Sequence, residues 1–209
     1  MRTINLNLVL SVLLISACYV IAPAMAHAQK PLPLPPPAKD YFPDKWDEYT
    51  SEQGRFRIRF PGEPKEEFSP VDVHFLSFSG LLEYRVSYVD ESELTGDLDS
   101  AKHYLQESKS ASLLITKISG ERIIKQKAVT VHGHPGYFLH VESAKAWVRT
   151  LEIVVGQRVY TIIVEGRKRR ANKLEGKADF EKVAMGFINS FKLIPSPAKP
   201  NKALQLPAR

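Results

Sequence analysis

Val148–Glu165 reads VRTLEIVVGQRVYTIIVE, two runs rich in β-branched and aromatic residues, Val148 to Val155 and Arg158 to Glu165, separated only by Gly156-Gln157. So tight a connection between two such runs predicts an antiparallel hairpin. Further strand signals lie outward from it. Arg55-Phe56-Arg57-Ile58-Arg59-Phe60 alternates charged with apolar groups, the pattern of a strand with one buried face, and points Phe56, Ile58 and Phe60 inward. Val71 to Phe78, Glu83 to Val89, Glu121 to Val131 and Tyr137 to Glu142 read as strands bounded by Gly, Pro, Ser or Asp. The short connections predict an antiparallel meander rather than alternating strand-helix-strand crossovers.

Two helices interrupt the strands. Phe180, Val183, Ala184, Phe187, Ile188 and Phe191 recur at helical spacing and form one apolar stripe, enough to clamp a helix onto a sheet. An earlier helix is predicted from Asp97 to Leu114, with Leu98, Ala101 and Leu105 inward and Asp97 or Asp99 capping its start. The fold class expected is therefore α+β, an antiparallel β-sheet flanked by helices.

The ends differ from this centre. The chain has 209 residues, 44% of them hydrophobic and 25% charged, with a net charge of +6. That share of apolar residues excludes disorder throughout, and the one long apolar run lies at the N-terminus, which excludes a multi-span membrane protein. Residues 1–28 have Arg2, an apolar run from Leu8 to Ala22 and the small-residue pattern Ala26-His27-Ala28, and read as a secretory signal peptide. The expected location is secreted or periplasmic. The alternative is lipid anchoring, because Ile15-Ser16-Ala17-Cys18 resembles a lipobox. Cleavage near Ala28 removes the only Cys, and with it disulfides, thiol nucleophiles and thiolate metal sites. Residues 29–45 form a proline-rich linker, 46–194 the globular domain, and 195–209 a basic, proline-rich tail read as disordered.

Few motifs of chemistry are present. There is no G-x-G-x-x-G, no Walker loop around Gly176-Lys177, no G-x-S-x-G and no H-E-x-x-H. His132-Gly133-His134-Pro135-Gly136 offers two imidazoles that His140 or a carboxylate could join around a metal, but Gly and Pro there also build a turn between Val131 and Tyr137. Asp90-Glu91-Ser92-Glu93 with Asp97 and Asp99 invites calcium. The twelfth position from Asp90 is Ala101, where a calcium loop needs Glu, and helix capping accounts for acids in this place. The strongest charge feature is Arg167-Lys168-Arg169-Arg170, with Lys173 and Lys177 beyond, in the loop before the last helix. It is a candidate contact for an anionic partner. It has no interleaved aromatics, and with export expected, nucleic acid is not.

Tyr49-Thr50-Ser51-Glu52-Gln53-Gly54-Arg55-Phe56, Phe60-Pro61-Gly62-Glu63-Pro64-Lys65, Val131-His132-Gly133-His134-Pro135-Gly136 and Phe187-Ile188-Asn189-Ser190-Phe191-Lys192-Leu193, in this order, resemble secreted bacterial proteins of the PsbP-like family. The resemblance spans about Trp46 to Leu193 and implies an α/β/α sandwich and an accessory or binding role without catalysis. It carries over no functional residue, since the matching motifs are turns and a core helix. The expectation is an exported, non-enzymatic protein without a cofactor. It would contact a protein or an anionic envelope component through the sheet face or the basic loop Arg167, Lys168, Arg169 and Arg170. The rival is a metal-dependent protein or hydrolase using His132, His134 and His140.

Overall fold

The computed structural model describes residues 45–69, 72–168 and 175–195. The leader, nearly all of the proline-rich linker, the tail after Pro195, Val71, and Arg169, Arg170 and Lys173 of the basic loop lie outside the described residues.

The elements in chain order are β1 (Asp47–Ser51), β2 (Phe56–Phe60), β3 (Lys65–Phe68), β4 (Val73–Ser79), β5 (Leu82–Asp90), α1 (Leu98–Ser119), β6 (Arg122–Val131), β7 (His134–Glu142), β8 (Ala146–Val155), β9 (Arg158–Arg167), α2 (Glu175–Ser190) and β10 (Lys192–Leu193). Seven strands form one sheet in the order β3-β4-β5-β9-β8-β7-β6, and every neighbouring pair is antiparallel. The expected hairpin is its centre, with Val155 opposite Arg158. After β5 the chain crosses the sheet through α1, enters β6 at the far edge and meanders back through β7 and β8, so that β9 arrives beside β5. That crossing leaves a ten-residue strand, β6, on the outside.

The fold is α+β, and it holds a second sheet besides the expected one. The Phe56–Phe60 strand pairs with β1 and β10 in a three-stranded sheet. Phe56, Ile58 and Phe60 do point inward, and they share one buried cluster with Tyr84, Ile162, Phe180 and Phe187. All six members of the α2 stripe are buried. Residue parity along β7 separates the two faces of the main sheet. Phe138 belongs to the cluster under α2, whereas Tyr137, Leu139 and Val141 belong to the cluster under α1 with Ala101 and Leu105.

Three short strands escape the sequence pattern because none of them alternates apolar with polar residues. β1 buries only Ser51, β3 is exposed at all four residues, and β10 has two residues. Other departures are local. α1 continues past Leu114 to Ser119, where Gly120 closes it at φ 70. Asp97 is its N-cap, accepting from the amides of Asp99 and Ser100, but Leu98 is 55% exposed and not inward. The turn expected over 132–136 shrinks to two residues, His132 and Gly133 at φ 50 and 83, and Pro135 and Gly136 belong to β7. Gly136 sits there because β8 runs close: a Cβ on it would lie 2.6 Å from the Glu152 carbonyl oxygen.

Candidate functional site

The structure does not bring the three histidines together. His132 takes the left-handed turn position and its Nε2 lies 3.1 Å from the Phe191 carbonyl oxygen, which fastens the β6–β7 turn to the end of α2. His134 opens β7, and His140 lies six residues along the same strand, about 20 Å away at strand rise. His140 is 6% exposed and its Nε2 has no partner. Burial, reinforced by the nearby cations Arg149 and Lys177, pushes its pKa down to about 4. Among the described residues no three His, Cys, Asp or Glu side chains are grouped to hold a metal ion. The acids of the calcium alternative have roles in the fold: Asp90 takes both Nε and Nη2 of Arg158 at 2.6 Å, and Asp97 caps α1.

Lys168, the second member of the basic run, is turned inward. Its Nζ donates to Glu142 Oε1 at 2.7 Å and to the Ser143 carbonyl at 2.6 Å, and lies 5.2 Å from the centre of the Trp147 ring. Its side chain is 9% exposed. Glu142 also accepts from Arg122, Trp147 and Lys177, and the Lys168 hydrogen bond, helped by Lys177, holds its carboxyl at about 2. Beside this hub Arg149, 1% exposed, pairs with Glu181 and lies over Phe180. Arg167 is exposed at the end of β9 and lines a small cleft of about 110 Å³ with Glu83 and Glu165. Its charge thus faces carboxylates of the same chain, and it holds down a Glu165 carboxyl that burial raises. A run of cations reads as one feature in sequence, yet the loop divides it, because the Glu142 end of the β7–β8 hairpin needs a buried counter-charge.

A site the sequence reading missed lies on the opposite face, between α1 and β6. Leu98, Lys102, Leu105, Gln106 and Lys109 form one stripe of the helix, and with Gln126 to Thr130 of β6 they line a groove of about 710 Å³ floored by Gly136 and Tyr137. The helix is held in place by Ala101 and Leu105 in the core and by Ser108, whose hydroxyl donates to Glu152 of β8 at 2.6 Å. Tyr137 donates to Gln126 Oε1 at 2.8 Å and fixes that side of the floor. No carboxylate lines the groove. Lys102 lies 3.9 Å from Asp99, while Lys109 and Lys127 form no ion pair among the described residues. Along the strand Arg122, Lys125 and Lys127 add positive charge and no acid. The signal was present in the sequence as an acid-free strand, Arg122–Val131, but its pairing with a helix stripe some twenty residues earlier depends on the crossover.

No family model matches this sequence, and no curated protein matches it. Among solved structures, the chain is similar to the cyanobacterial PsbP protein CyanoP from Synechocystis sp. PCC 6803 at 12% identity and a TM-score of 0.48, over 71% of this chain and 92% of that one. It is also similar to a protein of unknown function, PA94, from Pseudomonas aeruginosa (14% identity, TM-score 0.36, 73% of this chain and 98% of that one). A third likeness is to TplEi, a Pseudomonas aeruginosa immunity protein complexed with a peptide (11% identity, TM-score 0.36, 68% of this chain and 50% of that one). These are likenesses of chain course; the α+β class rests on the sheets and helices themselves.

Proposed function

We propose that this chain is an exported, non-catalytic binding protein that holds an anionic partner in the groove between α1 and β6. The observation that carries the reading is the placing of Lys102 and Lys109 of the helix along a concave surface without a carboxylate, beside an edge strand whose Lys127 lines the groove from the other sheet face. Lysine on an edge strand alone serves to keep edges apart. Lysines arriving from a second element at the same groove exceed that need, and they attract and orient a negative partner. The groove has no nucleophile–base pair, which favours capture over reaction. Export rests on the signal-peptide pattern of residues 1–28, and mass spectrometry of the mature chain tests it: a start near Gln29 would support export, and a lipidated Cys18 the anchored alternative.

The test is binding of polyglutamate by the parent chain and by the double variant Lys102→Glu/Lys109→Glu. The variant should bind about tenfold or more weakly, and the parent should lose affinity as salt rises from about 50 to about 300 mM. Equal affinity of parent and variant rejects the groove.

A further inference from the structure

We infer that the partner enters as an eighth strand: an extended, acidic polypeptide segment pairs its backbone with the outer edge of β6. This rests on the groove reading above and adds to it the form of the ligand.

The backbone of β6 supplies the argument. Val131 and His134 flank the two-residue turn, and such a turn is closed by a bond from the His134 amide to the Val131 carbonyl. Opposed residues in an antiparallel ladder alternate between bonded and non-bonded pairs. Val131, Val129 and Lys127, opposite His134, Gly136 and Phe138, therefore spend their amides and carbonyls on β7. Thr130, Ala128 and Gln126 turn theirs outward, where no strand pairs with them among the described residues. Pro135 fits this phase, because it stands opposite Thr130, where β7 owes β6 no N–H. The three outward residues are among those that line the groove with α1, and they share the sheet face of Tyr137 and Leu139.

The charges select the occupant. A segment laid along this edge has Lys102 and Lys109 on its α1 side and Lys125 and Lys127 on the other, because Lys125 and Lys127 share the sheet face of His140 and Phe138. Acidic side chains on either face of the segment are thus met. A second β6 would set Lys125 and Lys127 against their own kind and is disfavoured. The chain's own segment 195–209 has three cations and no acid, which excludes it on the same ground.

The experiment uses the full chain and a labelled ten-residue peptide alternating Glu and Val, matched to the ten residues of β6, with fluorescence anisotropy for affinity and amide hydrogen exchange by NMR for the bound form. Three results are expected. The same peptide with every backbone amide N-methylated binds about tenfold or more weakly, since its side chains are kept and its ladder donors lost. Ala128→Pro, which removes an outward donor but no β6–β7 bond, weakens the peptide to a similar degree. On binding, the amides of Gln126, Ala128 and Thr130 slow in exchange while those of Lys127 and Val129, already bonded, change little. Equal binding of the methylated peptide overturns the strand proposal; if Lys102→Glu/Lys109→Glu still abolishes binding, the groove reading survives as recognition by charge alone. Indifference to both changes overturns both readings. No binding at about 1 mM peptide, or concentration-dependent self-association through the acidic edge strand β3 that the peptide cannot reverse, also overturns the strand proposal. Should Ala128→Pro fail to fold, the methylated peptide and the exchange pattern decide on the parent chain.

Discussion

His140→Leu should remove most of the sensitivity of this fold to mild acid. His140 is buried on β7 with its Nε2 unpartnered, and it is faced by Arg149 of β8, Lys177 of α2 and Lys125 of β6, with the charge of Glu142 opposing them. Burial first, and then those cations, hold its folded pKa at about 4, against about 6.5 in an unfolded chain. Because the folded value is the lower, the unfolded chain binds more protons between these limits, and stability falls as pH drops below about 6.5. Between pH 7.5 and pH 5 the linkage amounts to about 2 kcal/mol, roughly four-fifths of it below pH 6.5. Leu fills a similar volume and leaves no polar atom unsatisfied, so the variant at pH 7.5 should lie within about 1 kcal/mol of the parent. The assay is urea unfolding at several pH values. Buried carboxyls whose pKa is raised, Glu91, Glu152 and Glu165, act in the opposite sense but equally in both proteins, so the difference between the curves isolates His140. A variant that loses as much stability as the parent from pH 7.5 to pH 5 would refute the reasoning, as would an NMR titration placing His140 above pH 6.

Lys168→Ser should cost about 1–3 kcal/mol, because it strips the shortest ion pair from the Glu142 hub, whereas Arg167→Ser at the exposed end of β9, whose contacts are solvent-screened, should change stability by less than about 1 kcal/mol; chemical denaturation of each distinguishes a buried from an exposed cation. The folded Glu142 carboxyl, at about 2, lies below its unfolded value near 4.5, so its stabilisation is complete above pH 4.5 and is lost as pH falls toward 2. Lys168→Ser should flatten that acid limb, and an unchanged limb would reject the hub. Gly136→Ala should destabilise by about 1–3 kcal/mol, since the new Cβ meets the Glu152 carbonyl at 2.6 Å; an unchanged melting temperature would show that β7 and β8 can move apart.

The alternation of Phe56, Ile58 and Phe60, the spacing of Phe180, Val183, Ala184, Phe187, Ile188 and Phe191, and the Gly156-Gln157 connection between two β-rich runs by themselves determined buried strand faces, a core helix and a hairpin. These signals are periodic, and period follows from local backbone geometry. β1, β3 and β10 carry no such apolar alternation over their two to five residues, and β10 is in addition held only by pairing with β2, far away in the chain, so they were illegible. The candidate site divides in the same way. The sequence showed Lys168 beside three arginines but could not show Glu142, some twenty-six residues earlier, drawing it inward. It showed cations on Lys102, Lys109 and Lys127 but could not show that the passage of α1 over the sheet lays a helix stripe along the outer edge of β6. Side-chain type and local spacing are written in the chain, whereas which charges meet, and which strand is left unpaired, follow from the order of strands, and that order is set by contacts between residues far apart in sequence.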